Sequence, residues 1–302
     1  MDMYKICIKR IFYTHSIHIL YSIVYIIYLK QNYYIVIKYM GFILSCSTTP
    51  SRIQYLLQIL PFIKCRYKYF VINICQEYKR FGKFKLPKEL ISLCKNHPRI
   101  IFNFLYDYGP VCKYIGGFEF MKRKGLTEDK LIIIDDDTIY NKDLFYDLME
   151  EKTDNNITTG SGFNYDENRN YLMVEGPTEM VEGYAGICFN YNQYNEFMGW
   201  YVNFYKCVQW DSEQLLDKYL KASFLGDDFI ISNCYDNKLA IKDGRKNITP
   251  QQFGFLNDAL HRNNVFGSNM ASYLFLYENI KILNTFKLKY KLNKYIRNEI
   301  IQ

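Results

Sequence analysis

Leu131-Ile132-Ile133-Ile134-Asp135-Asp136-Asp137-Thr138-Ile139-Tyr140 decides how the chain reads. Four consecutive aliphatic residues without polar alternation predict a strand buried on both faces, as in the middle of a parallel sheet. That strand runs straight into three carboxylates. Adjacent acids repel one another, and a cation at the mouth of the strand offsets the repulsion. In open α/β sheets, ligands bind at the carboxyl ends of the strands. Oxygen-only donors on a loop suit a hard divalent ion that keeps positions open for phosphate oxygens, which means magnesium or manganese. An acidic turn capping the helix that begins near Asn141 accounts for one acid but not for three.

Upstream, Gly41 to Cys46 predicts the first strand of the domain, ending in Ser47-Thr48-Thr49-Pro50-Ser51-Arg52 with a helix through Leu60. Hydroxyls and amides between a strand end and a helix start form a place for phosphates or a nucleotide. Plain capping by Thr49 or Ser51 is the ordinary alternative. Tyr69 to Cys75 and Arg99 to Phe104 predict further strands. The second leads to Asp107-Tyr108-Gly109-Pro110-Val111-Cys112-Lys113, where Gly-Pro breaks the chain and Lys113 falls in the first turn of the next helix, near the nucleotide or merely in solvent.

Downstream, the pattern predicts a helix from about Lys142 to Lys152, a strand or loop over Thr158 to Tyr165, and a strand over Tyr171 to Val174. In Val181-Glu182-Gly183-Tyr184-Ala185-Gly186-Ile187-Cys188-Phe189, the glycines permit close backbone approach to a ligand and the tyrosine can stack on a sugar. A bulge in an antiparallel edge is the alternative. In Phe224-Leu225-Gly226-Asp227-Asp228-Phe229-Ile230-Ile231, two acids open an apolar run of helical length. They favour the helix dipole, and a pair beneath a loop glycine also suits a general base aimed into a cleft. His261 closes a predicted helix over Phe253 to Leu260, as a further metal ligand or a surface histidine.

With 302 residues and 49% hydrophobic content the chain can bury a substantial core. A net charge of +7 suits a phosphate-bearing substrate or an anionic membrane surface, and its even spread argues against nucleic acid. The nine cysteines sit singly without metal-ligand spacing, which favours free, mostly buried thiols in a reducing compartment. Residues 11–29 carry no charge and lie between Arg10 and Lys30, with polar interruptions at Thr14, His15, Ser16, His18 and Ser22. A membrane anchor, an upstream extension before Met40 and a packed helix all fit that pattern. The expected layout is a hydrophobic segment over 1–39, a single α/β domain over 40–265 and a basic helical tail over 266–302, placed in the cytoplasm or at a membrane through 11–29.

Together these segments resemble the nucleotide-sugar glycosyltransferases of GT-A fold, in a family-2-like set found in bacteria and large DNA viruses. Four motifs carry the resemblance: Ser47 to Arg52, Asp107 to Lys113, Asp135 to Asp137, and Asp227 with Asp228. It covers roughly Met40 to His261 and implies a Rossmann-like domain with a mostly parallel central sheet flanked by helices; the N-terminal hydrophobic helix comes from the uncharged run over 11–29. It also implies a nucleotide-sugar donor, most often a UDP-sugar, and transfer to a hydroxyl of a glycan, protein or lipid with inversion. Ser47, Thr48, Thr49, Arg52, Asp107, Lys113, Asp135 and Asp136 then face the donor. Asp137 ligates Mn²⁺ or Mg²⁺ directly, with Asp135 and His261 as further candidates, and Asp228 is the base with Asp227 in reserve. The usual form of the last motif has Glu before Asp, so the register between Asp227 and Asp228 stays open. A nucleotidyltransferase or other phosphate-processing enzyme, and a binding protein that keeps the fold without catalysis, are the rival readings.

Overall fold

The computed structural model describes residues 41–78, 82–83, 85–165, 171–207 and 227–250. The segment 1–39, the tail 266–302 and His261 lie outside the described residues, so the N-terminal helix and the third metal-ligand candidate are not seen. No helix among the described residues is long and apolar enough to cross a membrane.

The first half comprises β1 (Phe42–Ser47), α1 (Ile53–Ile59), β2 (Tyr69–Cys75), the antiparallel pair β3 (Glu77–Tyr78) and β4 (Gly82–Lys83), α2 (Lys88–Asn96), β5 (Ile100–Leu105), α3 (Cys112–Lys124) and β6 (Lys130–Ile133). There follow β7 (Thr138–Tyr140), α4 (Lys142–Glu150), β8 (Ile157–Thr159), β9 (Gly162–Tyr165), β10 (Tyr171–Val174), β11 (Gly176–Pro177), β12 (Met180–Val181), β13 (Ile187–Asn190), α5 (Gln193–Cys207), α6 (Asp227–Cys234), β14 (Lys238–Ala240) and β15 (Ile248–Pro250).

Eight strands form a central sheet in the order β11-β14-β8-β13-β6-β1-β2-β5. β6, β1, β2 and β5 run parallel, as do β8 and β14, and β13 runs antiparallel between β6 and β8. The result is a mixed α/β fold with a mostly parallel sheet and flanking helices. The aliphatic runs sit where their composition predicts: Phe42, Ile43 and Leu44 of β1, and Leu131 to Ile134 at β6, are fully buried. The choice left open at 181–189 resolves as a 3-10 turn at Gly183–Ala185 feeding β13, which lies inside the sheet and not at its edge. Because β13 is reversed, its beginning stands at the same end of the sheet as the end of β6, with Ile187 opposite Ile133.

A buried polar ladder fixes α3 against the parallel strands. Asn73 and Asn103 face each other in register across β2 and β5, and the Asn103 amide donates to Asn73 Oδ1 at 3.0 Å and to the Gly116 carbonyl at 3.1 Å. Asn73 in turn donates to Ser45 Oγ at 2.8 Å, whose hydroxyl donates to the Lys113 carbonyl at 2.5 Å. Each buried polar group thus finds a partner, and the start of α3 is held to β1. The ladder leaves no room at Gly116, where a Cβ would stand 1.9 Å from Asn73 Oδ1 and 2.6 Å from Leu105 Cδ1. Gly116→Ala is therefore expected to cost about 3 kcal/mol through overpacking and broken buried hydrogen bonds. Thermal denaturation checks it against Gly82→Ala, which meets nothing within 4 Å and bears only the strain of φ +70°.

The helix that carries the late acids is anchored twice. Ser232 Oγ accepts from the Val181 amide at 2.9 Å, and Tyr235, just beyond α6, donates to the Gln193 carbonyl at 2.8 Å and shares a hydroxyl hydrogen bond with Tyr114 of α3. Tyr114 packs edge-on against Phe189 with ring centres 4.7 Å apart, so α3, β13 and α6 share one aromatic core.

Candidate functional site

Four separate segments bring charged side chains together at the carboxyl end of the parallel strands. Arg52 sits at the N-terminus of α1, directly after β1. Lys113 is in the first turn of α3, as its place after Gly-Pro predicts, and Asp135 to Asp137 leave the end of β6. Asp227 and Asp228 open α6, so the apolar run that follows them is a helix as read. β7, which directly follows the acidic loop, pairs antiparallel with β15, with Tyr140 opposite Ile248.

The acids are sorted by their cations. Arg52 Nε and Nη2 reach Asp136 Oδ1 at 3.0 and 2.5 Å, and Nη2 reaches Asp137 Oδ2 at 2.7 Å. Lys113 is buried and pairs with Asp135, and its Nζ lies 2.8 Å from Asp227 Oδ2. Asp228 Oδ1 accepts from the Gly183 amide at 2.6 Å. Burial would lower the Lys113 pKa, but the charges of Asp135, Asp227 and Asp228 hold it well above its ordinary value. Burial would likewise raise Asp135, yet the Lys113 ammonium holds it below the usual carboxylate range. Elsewhere burial wins. Asp137 is pushed up to about 6, and Asp227 and Asp228 are also raised, the latter by burial and then by the charge of Asp227.

Five carboxyls, Asp135 to Asp137 with Asp227 and Asp228, thus face two cations, Arg52 and Lys113. The site is short of positive charge, which is the condition a divalent ion meets. Asp136 is 3% exposed and committed to Arg52, so Asp135 and Asp137, with side chains 30% and 14% exposed, are the donors that could hold such an ion. Thr48 Oγ1 is buried without a hydrogen-bond partner among the described residues, a polar atom left for a ligand or water.

Some contributors were not legible in the sequence. Gly183 permits close approach, and the acid pair lies directly against it, a contact its sequence context does not announce. A Cβ there would lie 2.5 Å from Asp228 Oδ1, 2.8 Å from Asp227 Oδ2 and 3.2 Å from Lys113 Nζ. Tyr140 carried no assigned role, yet its buried hydroxyl accepts from the Asp135 amide at 2.9 Å and donates to the Tyr184 carbonyl at 2.8 Å. It locks the acidic loop to the glycine turn. On the outer side Arg245 donates to Tyr184 Oη at 3.0 Å, and Glu182 takes the Ser161 hydroxyl at 2.5 Å.

Other candidates are placed apart from these ion pairs. Ser47 Oγ donates to the Pro110 carbonyl at 3.4 Å, and Thr49 Oγ1 lies 3.3 Å from Ser51 Oγ. Neither Thr49 nor Ser51 caps α1, whose N-cap residue is Arg52 with no side-chain cap bond. Asp107 accepts from the Gly109 amide at 2.9 Å and lies against the thiols of Cys75 and Cys112.

No family model and no curated protein matches the chain. Among solved structures it is similar to a 4-diphosphocytidyl-2C-methyl-D-erythritol synthase, with 11% identity and a TM-score of 0.39 over 68% of this chain and 91% of that one. It is also similar to the glycosyltransferase GlyE of Streptococcus pneumoniae TIGR4 (13% identity, TM-score 0.36, covering 68% of this chain and 46% of that one). A third is the bifunctional glycosyltransferase WbbM (15% identity, TM-score 0.35, covering 67% and 38%). At these scores the functional reading rests on the geometry of the chain itself.

Proposed function

We propose that this chain is a metal-dependent GT-A-type glycosyltransferase. It moves a sugar from a nucleotide-sugar donor, in the first instance a UDP-sugar, to an acceptor hydroxyl with inversion. The observation that carries the reading is the convergence of the strand-end acids Asp135 to Asp137 and the helix-start acids Asp227 and Asp228 on Lys113, Arg52 and the Gly183 turn. Asp135 and Asp137 would hold Mn²⁺ or Mg²⁺, which supplies Lewis-acid stabilisation of the diphosphate leaving group. Arg52 fixes Asp136 and Asp137 in orientation, and the Lys113 ammonium adds positive charge where the leaving group forms.

The two late acids are distinguished by their partners. Asp227 is an ion partner of Lys113, whereas Asp228 is held by a neutral backbone amide and has its pKa raised by burial. A carboxylate with raised basicity at a helix start is the one suited to take the acceptor proton. Nucleotidyl transfer to a phosphate acceptor also uses strand-end acids, but its nucleophile is already ionised and gives the late pair no proton to remove.

Asp228→Asn is expected to lower kcat about 10²- to 10⁴-fold while the donor KM moves only a few-fold. Asp227→Asn should instead weaken donor binding through Lys113. Steady-state kinetics on the two variants decides the register. Full activity in Asp228→Asn would remove the base from the account.

A further inference from the structure

We infer that Cys75, Asp107 and Cys112 form a second cation site, one for a thiophilic divalent ion such as zinc, separate from the acid cluster and independent of the glycosyltransferase reading. Cys75, at the end of β2, is distant in sequence from Asp107 and Cys112, which the loop after β5 and the first residue of α3 bring beside it. All three are buried, and one ligand atom from each lies within 4.8 Å of the others. Two thiolates each about 2.3 Å from a tetrahedral zinc stand about 3.8 Å apart. Cys75 Sγ and Cys112 Sγ are 3.8 Å apart, and Cys75 Sγ is 3.9 Å from Asp107 Oδ1.

Two backbone amides face the ligand atoms. The Tyr108 amide donates to Cys112 Sγ at 3.3 Å, and the Gly109 amide donates to Asp107 Oδ1 at 2.9 Å. Backbone donors of this kind orient metal ligands and stabilise the thiolate. Without the ion the two thiols donate to the Tyr106 carbonyl, at 3.8 Å from Cys75 and 3.6 Å from Cys112. On binding, two S–H bonds break, both protons leave to solvent and two sulfur–metal bonds form, with no change of oxidation state. Asp107 also lines an open pocket with Tyr78, Tyr106 and Lys85, the side from which the ion and a water as fourth ligand would enter. The ion clamps the end of β2 to the start of α3, one residue before Lys113.

Cobalt(II) is the probe, because thiolate ligation gives it a near-ultraviolet charge-transfer band and tetrahedral geometry gives it strong visible bands. Full-length reduced protein, stripped with chelator, is titrated with cobalt. The expected result is that one equivalent carries both signatures and is bleached by zinc, while any cobalt taken up by the acids adds no charge-transfer band. Cys75→Ser or Cys112→Ser loses the charge-transfer band, while Cys188→Ser, a buried cysteine elsewhere, keeps it. Cobalt held by the acids near Asp137 has oxygen ligands and gives no such band, so failure there cannot mimic success here. Asp107→Asn, the mildest variant, should keep the charge-transfer band and shift the visible bands. The proposal is overturned if cobalt binds without the charge-transfer band, or if the band survives in folded Cys75→Ser and Cys112→Ser protein. It is equally overturned if the pair closes to a disulfide under conditions where metal still fails to bind after reduction.

Discussion

Asp137→Asn is expected to reduce metal-dependent donor turnover at least ~10³-fold and, in the metal-free protein, to raise stability. Both effects have one origin. Asp137 is one of five carboxyls facing two cations, and burial pushes its pKa up to about 6 from an ordinary 3.8. A group whose folded-state pKa is raised binds its proton more tightly when folded, so stability is lost as pH rises through the window from about 4 to 6. Asparagine does not titrate. The variant should therefore unfold at a higher temperature than the parent at pH 7.5 in chelator, by about 1–2 kcal/mol after discounting for residual solvent, and the advantage should vanish near pH 4. Arg52 keeps Asp136 as a partner in the variant, so the fold has no reason to fail. A variant that is inactive but less stable at pH 7.5 would mean that Asp137 is a structural ion partner of Arg52 and nothing more.

Lys113→Met should act in the opposite direction. Methionine fills much of the same volume but leaves Asp135 and Asp227 buried against each other without the ammonium between them. Breaking a buried pair by removing one partner costs about 3–5 kcal/mol. For a chain of this size that is a fall in melting temperature of about 10 °C. If the acids do hold a cation, manganese should restore part of the loss in the variant and do much less in Gly116→Ala, whose defect is steric. Melting curves with chelator and with manganese separate the two. A drop of less than ~1 kcal/mol in chelator would show that the acids protonate at little cost and that Lys113 does not hold them.

Local chemistry was well recorded in the sequence. Tyr69 to Cys75 is a strand with the expected ends, and Asp227 is the first residue of its helix, because both elements are mostly apolar and bordered by polar residues. Lys113 was placed in a first turn by the Gly-Pro before it. What escaped depends on pairing across the sheet. The reversal of β13 places Gly183 beside Asp227 and Asp228, yet four buried residues have the same composition in either direction. The match between Asn73 and Asn103 is a register property, invisible until β2 and β5 are side by side. Single cysteines with no metal-ligand spacing read as free thiols, and Cys46, Cys65, Cys75, Cys94, Cys112, Cys188 and Cys234 are free. That two of them meet across β2 and α3 is again a fact of topology. Asp107, which the resemblance turns toward the nucleotide, accepts from the Gly109 amide and lies against that thiol pair, a neighbourhood its motif does not announce.

The most direct test of the central claim is release of free nucleotide from a panel of UDP-, GDP- and CDP-sugars by the full-length protein. Manganese is present or removed by chelator, and Asp137→Asn runs alongside. The account predicts hydrolysis of one donor, with the UDP-sugars first in line, that requires the ion and disappears in the variant. Hydrolysis indifferent to chelator and to Asp137→Asn would contradict it, and so would silence across the panel with no metal-dependent thermal shift from any nucleotide.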